Sequence, residues 1–99
     1  MLEHNRVLVV GRKQKRIDEL TRLLESAGCI VTGTLVDAVA IDLATSSNYQ
    51  ALVIAEEVSR SDGRYVTTTA RGRKPLMPVI LVHNTRSILT QLRHAGLAL

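Results

Sequence analysis

Aromatic residues are almost absent from this chain, which has no Trp and no Phe and carries only Tyr49 and Tyr65. Domains that bind single-stranded nucleic acid by stacking need several exposed aromatic rings. The sequence therefore argues against RRM-like and related single-strand-binding modules. Its core must be aliphatic, because hydrophobic residues still make up 45% of the chain.

Cysteine occurs once, as Cys29. One thiol can form neither an internal disulfide nor a cysteine-based zinc site, so a reducing cytoplasm is the expected setting. We interpret Cys29 as a small core residue rather than a nucleophile. The histidines, His4, His83 and His94, are widely spaced, and nothing groups them into a metal site.

Long apolar runs are missing as well. None approaches the roughly 20 residues that a membrane-spanning helix needs. The segment Met1–Asn5 lacks the apolar stretch of a secretory signal peptide. We expect a cytoplasmic protein without a membrane partner.

The chain has 99 residues, which fits a single domain spanning 1–99. Its net charge of +4 is uneven, because residues 1–55 hold six Lys/Arg and six Asp/Glu, whereas residues 56–99 hold seven and three. Most of the excess lies in Arg60–Lys74. Such a segment either binds an anionic partner or forms a solvated surface.

Strand and helix patterns alternate along the chain. β-Branched runs predict strands at Arg6–Val10, Cys29–Leu35, Ala51–Ala55 and Val79–Val82. Apolar spacing predicts helices at Arg12–Ala27, Asp37–Ala44, Asp62–Ala70 and 86–95, of which the third is weak because Val66–Thr69 is β-branched. Asp37 is the expected cap of the second helix, and Asn84 or Thr85 that of the last. The alternation predicts an α/β protein with a doubly wound parallel sheet.

With these elements in place, the chain resembles the receiver domain of two-component response regulators over essentially its whole length. The likeness rests on Val7–Val10 with the helix ending at Gly28, on Ala51–Ala55 with Ser61–Gly63 after it, on Met77–Val82 and on His94–Gly96. It implies a flavodoxin-like (CheY-like) sheet of strand order 2-1-3-4 with helices on both faces. It also implies a signalling role in two-component signal transduction.

The reaction positions depart from that family. The resemblance places the metal-binding acidic pair on Gly11 and Arg12, the phosphoacceptor aspartate on Ala55, and the Ser/Thr of the fourth strand on His83. Alanine cannot accept a phosphoryl group, and a guanidinium repels the cation that oxygen ligands hold. We expect a degenerate pocket, with no catalytic residue, no metal, no cofactor and no enzymatic activity. Glu56, one residue beyond Ala55, is the candidate for a fixed mimic of phosphoaspartate.

The family's fifth strand, with its lysine, has no counterpart before Leu99. Val79–Val82 should then be an open apolar edge, which requires pairing or cover. We expect a protein partner or a homodimer, formed through the Val79–Val82 edge or the 86–95 helix; the alternative interpretation is that the chain is a fragment of a longer protein. The main functional prediction is a non-phosphorylatable receiver-like domain, or pseudo-receiver, that acts by protein–protein interaction.

A second prediction starts from the basic first turn of the first helix. Arg12, Lys13, Lys15 and Arg16 oppose the helix dipole, and an anion at this N-terminus would be stabilised by backbone N–H groups and side chains together. The alternative function is therefore an anion-, nucleotide- or nucleic-acid-binding α/β module. It would use Arg12–Arg16 or Arg60–Lys74.

Overall fold

A computed structural model describes residues 5–99 of the chain. The expectation that Met1–Asn5 is not a signal peptide, and the placement of His4, therefore fall largely outside the described residues. Within 5–99, no helix is both long and apolar enough to cross a membrane.

Four strands and four α-helices alternate. The strands are β1 (Arg6–Val10), β2 (Ile30–Thr34), β3 (Ala51–Ile54) and β4 (Val79–Leu81). The helices are α1 (Gln14–Ser26), α2 (Asp37–Ser46), α3 (Arg60–Arg73) and α4 (Ile88–His94), the last preceded by a 3-10 turn at Thr85–Ser87. The strands form one parallel sheet of order β2-β1-β3-β4, which confirms the predicted fold class and strand order.

Alternation along the strands divides the core into two layers. Val7, Val9 and Val53 lie on the face that packs against α1 and α4, whereas Leu8 and Ile54 lie on the face covered by α2 and α3. All five are at most 1% exposed. Burial stabilises each of these side chains by about 1.5–3 kcal/mol. Because helices cover both faces of the sheet, its strands are continuous apolar runs.

Helix α1 packs through Ile17, Leu20 and Leu24 and is followed by Gly28, whose φ of 87° favours glycine. At Gly33 of β2 a Cβ atom would lie 2.5 Å from Ile17 Cγ2. Glycine at this position therefore allows α1 to approach the sheet closely. Cys29 is 6% exposed and belongs to this core, as expected, and burial raises the pKa of its thiol.

All four helices differ from their predicted bounds: α2 extends to Ser46 rather than Ala44, and α4 covers Ile88–His94 rather than 86–95, because a 3-10 turn precedes it. Helix α1 begins at Gln14 rather than Arg12, because Lys13 is its extended N-cap residue. Helix α3 extends over Arg60–Arg73 rather than 62–70, with Ser59 accepting a hydrogen bond from the Asp62 N–H at 3.2 Å. Val66, in the β-branched run, is fully buried against the sheet, so tertiary packing outweighs its low helix propensity.

Of the two capping predictions, one is wrong and the other is confirmed. Asp37 is the first residue of α2, and its N-cap, Val36, makes no side-chain capping bond. The prediction that Asp37 caps α2 is therefore wrong, because its carboxylate pairs with an arginine described below. Asn84 does cap the 3-10 turn, where its side chain accepts from the Arg86 N–H at 2.9 Å.

Candidate functional site

Small residues abut where β1 and β3 end. Gly11 is buried directly after β1, and Ala55, 2% exposed, directly after β3. A Cβ atom at Gly11 would lie 3.3 Å from the Ala55 Cβ and 3.0 Å from the Glu57 Oε2. The two strand ends therefore leave little room between them, and a carboxylate borders that space.

That carboxylate belongs to Glu57, which lies at the N-terminus of α1. Its Oε2 accepts hydrogen bonds from the backbone N–H groups of Arg12 at 2.9 Å and Lys13 at 3.2 Å. A carboxylate at this end of a helix is stabilised by the helix dipole as well as by the two donors. The chain thus supplies its own anion at the helix terminus where the sequence suggested a bound one.

Arg12 directs its side chain towards α2 and α3. Its guanidinium donates to both carboxylate oxygens of Asp37, at 2.8 and 2.9 Å, and to Asp62 Oδ2 at 3.0 Å. These bonds, to Asp37 first, raise the pKa of Arg12 further above its already high value. Hydrogen bonds from Arg12 and then from Ser59 lower the pKa of Asp62. Arg12 is therefore a fixed cation that ties two helices to the loop after β1.

Arg16 holds the remaining carboxylates of this edge. Its guanidinium lies 3.1 Å from Glu19, 3.3 Å from Glu56 and 4.0 Å from Glu57 Oε1. Glu57 Oε1 is buried and has no hydrogen-bond partner within residues 5–99, so Arg16 is its nearest compensating charge.

We call this group the ion-pair cluster. It consists of Arg12, Arg16, Glu19, Asp37, Glu56, Glu57 and Asp62. Two cations face five carboxylates, which leaves a formal charge of −3. Among residues 5–99 no group of three His, Cys, Asp or Glu side chains is arranged to hold a metal ion.

The positions assigned to the degenerate pocket are brought together only in part. Ala55 and His83 line one cavity of about 330 Å³, together with Glu56 and Arg60. His83 is exposed, and its backbone N–H donates to Gln91 Oε1 at 3.4 Å. The Arg12 guanidinium instead points to Asp37 and Asp62, away from these residues.

The candidate anion-binding residues also separate. Lys13, Lys15 and Arg16 line a cavity of about 200 Å³ with Glu19, whereas Arg12 does not contribute to it. Glu56 is exposed, and Arg16 is its one ion-pair partner within residues 5–99. Glu57, the next residue, is the one turned inward.

Sequence reasoning missed three partners in this cluster. Asp37 was predicted to cap the second helix, Asp62 to lie in a turn or at the start of the third helix, and Glu57 had no predicted role. Carboxyl ends of parallel strands meet at one edge, so two arginines after β1 should have prompted a search for carboxylates after β3 and at the starts of α2 and α3.

A larger cavity lies along the outer side of β4, between α3 and α4. We call it the β4 groove, and it encloses about 540 Å³. Its lining includes Thr67, Arg71, Val79, Leu81, Gln91 and His94. A cavity of about 430 Å³ continues it past Arg71 to Leu76, which is 95% exposed. Within residues 5–99, β3 is the only strand that pairs with β4.

The chain matches no protein-family model and no curated protein sequence.

Proposed function

We propose that this chain is a receiver-like regulatory domain that does not accept a phosphoryl group and acts by binding protein at the outer edge of β4. The open β4 groove is the observation that carries the proposal. Within residues 5–99, β4 pairs with β3 on one side and leaves its other edge unpaired. An extended segment of another protein chain can add to such an edge as a further strand.

The ion-pair cluster supports the first half of the proposal. Ala55 offers no phosphoacceptor, and the acidic pair that the resemblance requires falls on Gly11 and Arg12. The Arg12 guanidinium is held 2.8–3.0 Å from Asp37 and Asp62. Asp37 and Asp62 are thus already paired with this guanidinium, which disfavours their use as ligands for the Mg²⁺ that phosphotransfer in the receiver family requires.

Amide NMR with Mg²⁺ and acetyl phosphate, and separately with beryllofluoride, tests this half. We expect no saturable shifts at Gly11, Ala55 or His83. Saturable shifts clustered at those three amides would overturn the proposal.

Self-association is one form that the binding function can take, and it stays a prediction. It would use the Val79–Val82 edge or the 86–95 helix. Sedimentation at micromolar concentration measures it, and a clean monomer contradicts a homodimer.

A second candidate function is favoured by the exposed arginines of α3. Arg60, Arg64, Arg71 and Arg73 are all exposed, and only Arg73 has an ion-pair partner within residues 5–99, namely Asp42. Contacts of this kind to nucleic acid would weaken steeply with salt. Absence of binding to duplex or single-stranded DNA at about 50 mM salt would exclude this function.

A further inference from the structure

The register of β4 shows which of its backbone groups face the open side. Pro78 O accepts from Leu52 N at 3.0 Å, and Val82 N donates to Ile54 O at 2.9 Å, so these groups point to β3. Backbone groups of successive residues alternate between the two sides of a strand. The N–H and C=O groups of Val79 and Leu81, and the N–H of His83, therefore point into the β4 groove.

Gln91 of α4 occupies part of this edge. Its side-chain amide donates to Leu81 O at 3.0 Å and lies 3.4 Å from His83 N, from which it accepts. One amide group thus satisfies an outward carbonyl and the next outward N–H, as a peptide unit of an added strand would. The Val79 groups and the Leu81 N–H lie beyond the reach of these two bonds.

The charges around the groove have one sign. Arg71 of α3 and His94 of α4 are exposed at its two walls, and no Asp or Glu lines the groove or its continuation past Leu76. Residues 63–99 contain six Lys/Arg and no Asp or Glu. An occupant that carries carboxylates would therefore be attracted to Arg71.

We propose that the β4 groove binds an extended acidic segment of another protein, which adds to the sheet as a strand beside β4 and displaces the Gln91 amide. This inference rests on the proposed function and names its partner class. The segment carries Asp or Glu residues on the face towards α3, where Arg71 lies, and apolar residues on the face towards α4, because alternate side chains of a strand point to opposite faces. Its backbone bonds to Val79, Leu81 and His83.

A second copy of the chain fits the edge less well. Pairing of two β4 edges would bring Arg71 of both copies into one interface, and no Asp or Glu lines the groove to offset them. Like charges across an interface disfavour the complex. Nucleic acid would be attracted by the same charges, but it would make no ladder of hydrogen bonds with β4.

The experiment measures binding of labelled peptides to the 99-residue chain by fluorescence anisotropy. The probe is a peptide of about seven residues in which Val alternates with Glu, which spans roughly 23 Å when extended. Control peptides replace Glu by Ser or Lys. A fourth peptide keeps Glu but is N-methylated at alternate backbone nitrogens, so it retains its charge and loses its ladder donors.

Leu81→Pro is the decisive variant. Its N–H points into the groove, so proline removes a donor that pairing with β3 does not use, and proline is accepted on the open side of an edge strand. We expect binding of the Glu peptide to weaken about tenfold. Leu81→Ala keeps the N–H and controls for the lost side chain. If Leu81→Pro does not fold, the N-methylated peptide makes the same test on the unaltered protein.

Two further variants test the charge and the displaced amide. Arg71→Glu should weaken binding about fivefold, whereas Arg64→Glu, on α3 but outside the groove lining, should change it less than about twofold. Gln91→Ala should strengthen binding about threefold, because the peptide no longer competes with the side-chain amide.

The outcomes separate this inference from the proposed function. Binding of the Glu peptide that Leu81→Pro, N-methylation and Arg71→Glu each weaken supports the inference. Equal binding of the Lys peptide, or no effect of Leu81→Pro and N-methylation, overturns it. Self-association abolished by Leu81→Pro, without peptide binding, overturns it but leaves the proposed function standing. DNA binding weakened equally by Arg64→Glu and Arg71→Glu overturns both.

Discussion

The carboxyl edge of the sheet and the outer edge of β4 differ in how completely the chain satisfies them. At the carboxyl edge, two arginines are surrounded by five carboxylates of the same chain. At β4, one Gln91 amide covers part of a backbone edge, and the surrounding charges are all positive. Half-buried charges need partners, so removal of one member of an ion pair at the first edge should destabilise the fold. The second edge retains backbone groups of β4 that pair with no strand within residues 5–99.

Removal of the Arg12 guanidinium should have the largest effect on stability. Arg12→Ala leaves Asp37 and Asp62 without their shared cation, and we expect the free energy of unfolding to fall by about 2 kcal/mol. Arg64→Ala is the matched control, since Arg64 is exposed and has no ion pair within residues 5–99. Its effect should stay within about 0.5 kcal/mol. Urea denaturation measures both free energies of unfolding. Equal losses for Arg12→Ala and Arg64→Ala would show that the ion pairs of Arg12 do not stabilise the fold.

Neutralising Glu57 should have a smaller effect. Glu57→Gln keeps an oxygen acceptor for the Arg12 and Lys13 N–H groups but removes the charge at the N-terminus of α1. We expect this change to lower the free energy of unfolding by about 1 kcal/mol. Glu56→Gln alters an exposed neighbour and should change stability by less than about 0.5 kcal/mol. If Glu56→Gln proves the more damaging of the two in thermal denaturation, the inward carboxylate has been assigned to the wrong residue.

Truncation of Gln91 should change the free energy of unfolding less than Glu57→Gln does. Its main effect should be on the hydrogen-exchange protection of β4 amides. Gln91→Ala removes one donor and one acceptor from an exposed edge, which costs about 0.5 kcal/mol. Native-state hydrogen exchange should show a faster His83 amide in the variant. In both proteins the Ile80 amide, bonded to β3, should exchange more slowly than the Leu81 amide. Equal protection at Ile80 and Leu81 would mean that the outer edge is not open.

The smallest effect concerns pH. Arg12 keeps the pKa of Asp62 below that of the unfolded chain, about 3.9. The ionised carboxylate therefore stabilises the fold above that pH, and this contribution is lost as pH falls through the lowered pKa. The stability difference between wild type and Asp62→Asn should shrink when pH is lowered from about 6 to about 2. A difference that is constant with pH would show that the Arg12–Asp62 pair contributes nothing through charge.

The fold class followed from the sequence because four short apolar runs alternate with helical patterns, whereas the strand order 2-1-3-4 was implied by the resemblance to receiver domains. The extent of α3 did not follow, since local propensity at Val66 is opposed by burial that only the assembled sheet provides. Gly11, Ala55 and His83 could be placed because strand ends are local features. The partners of Arg12 lie 25 and 50 residues away, and nothing in the sequence pairs them without the packing of α2 and α3.

The way in which Gln91 covers β4 also sets how fast this edge can be reached. A partly exposed side chain changes rotamer in picoseconds to nanoseconds, whereas removal of a paired strand would require local unfolding. Opening of the edge should therefore not limit association. Diffusional encounter of the two proteins should limit the association rate instead. Attraction to Arg71 accelerates this encounter, and added salt slows it. Differences between ligands would then appear mainly as different residence times on the sheet.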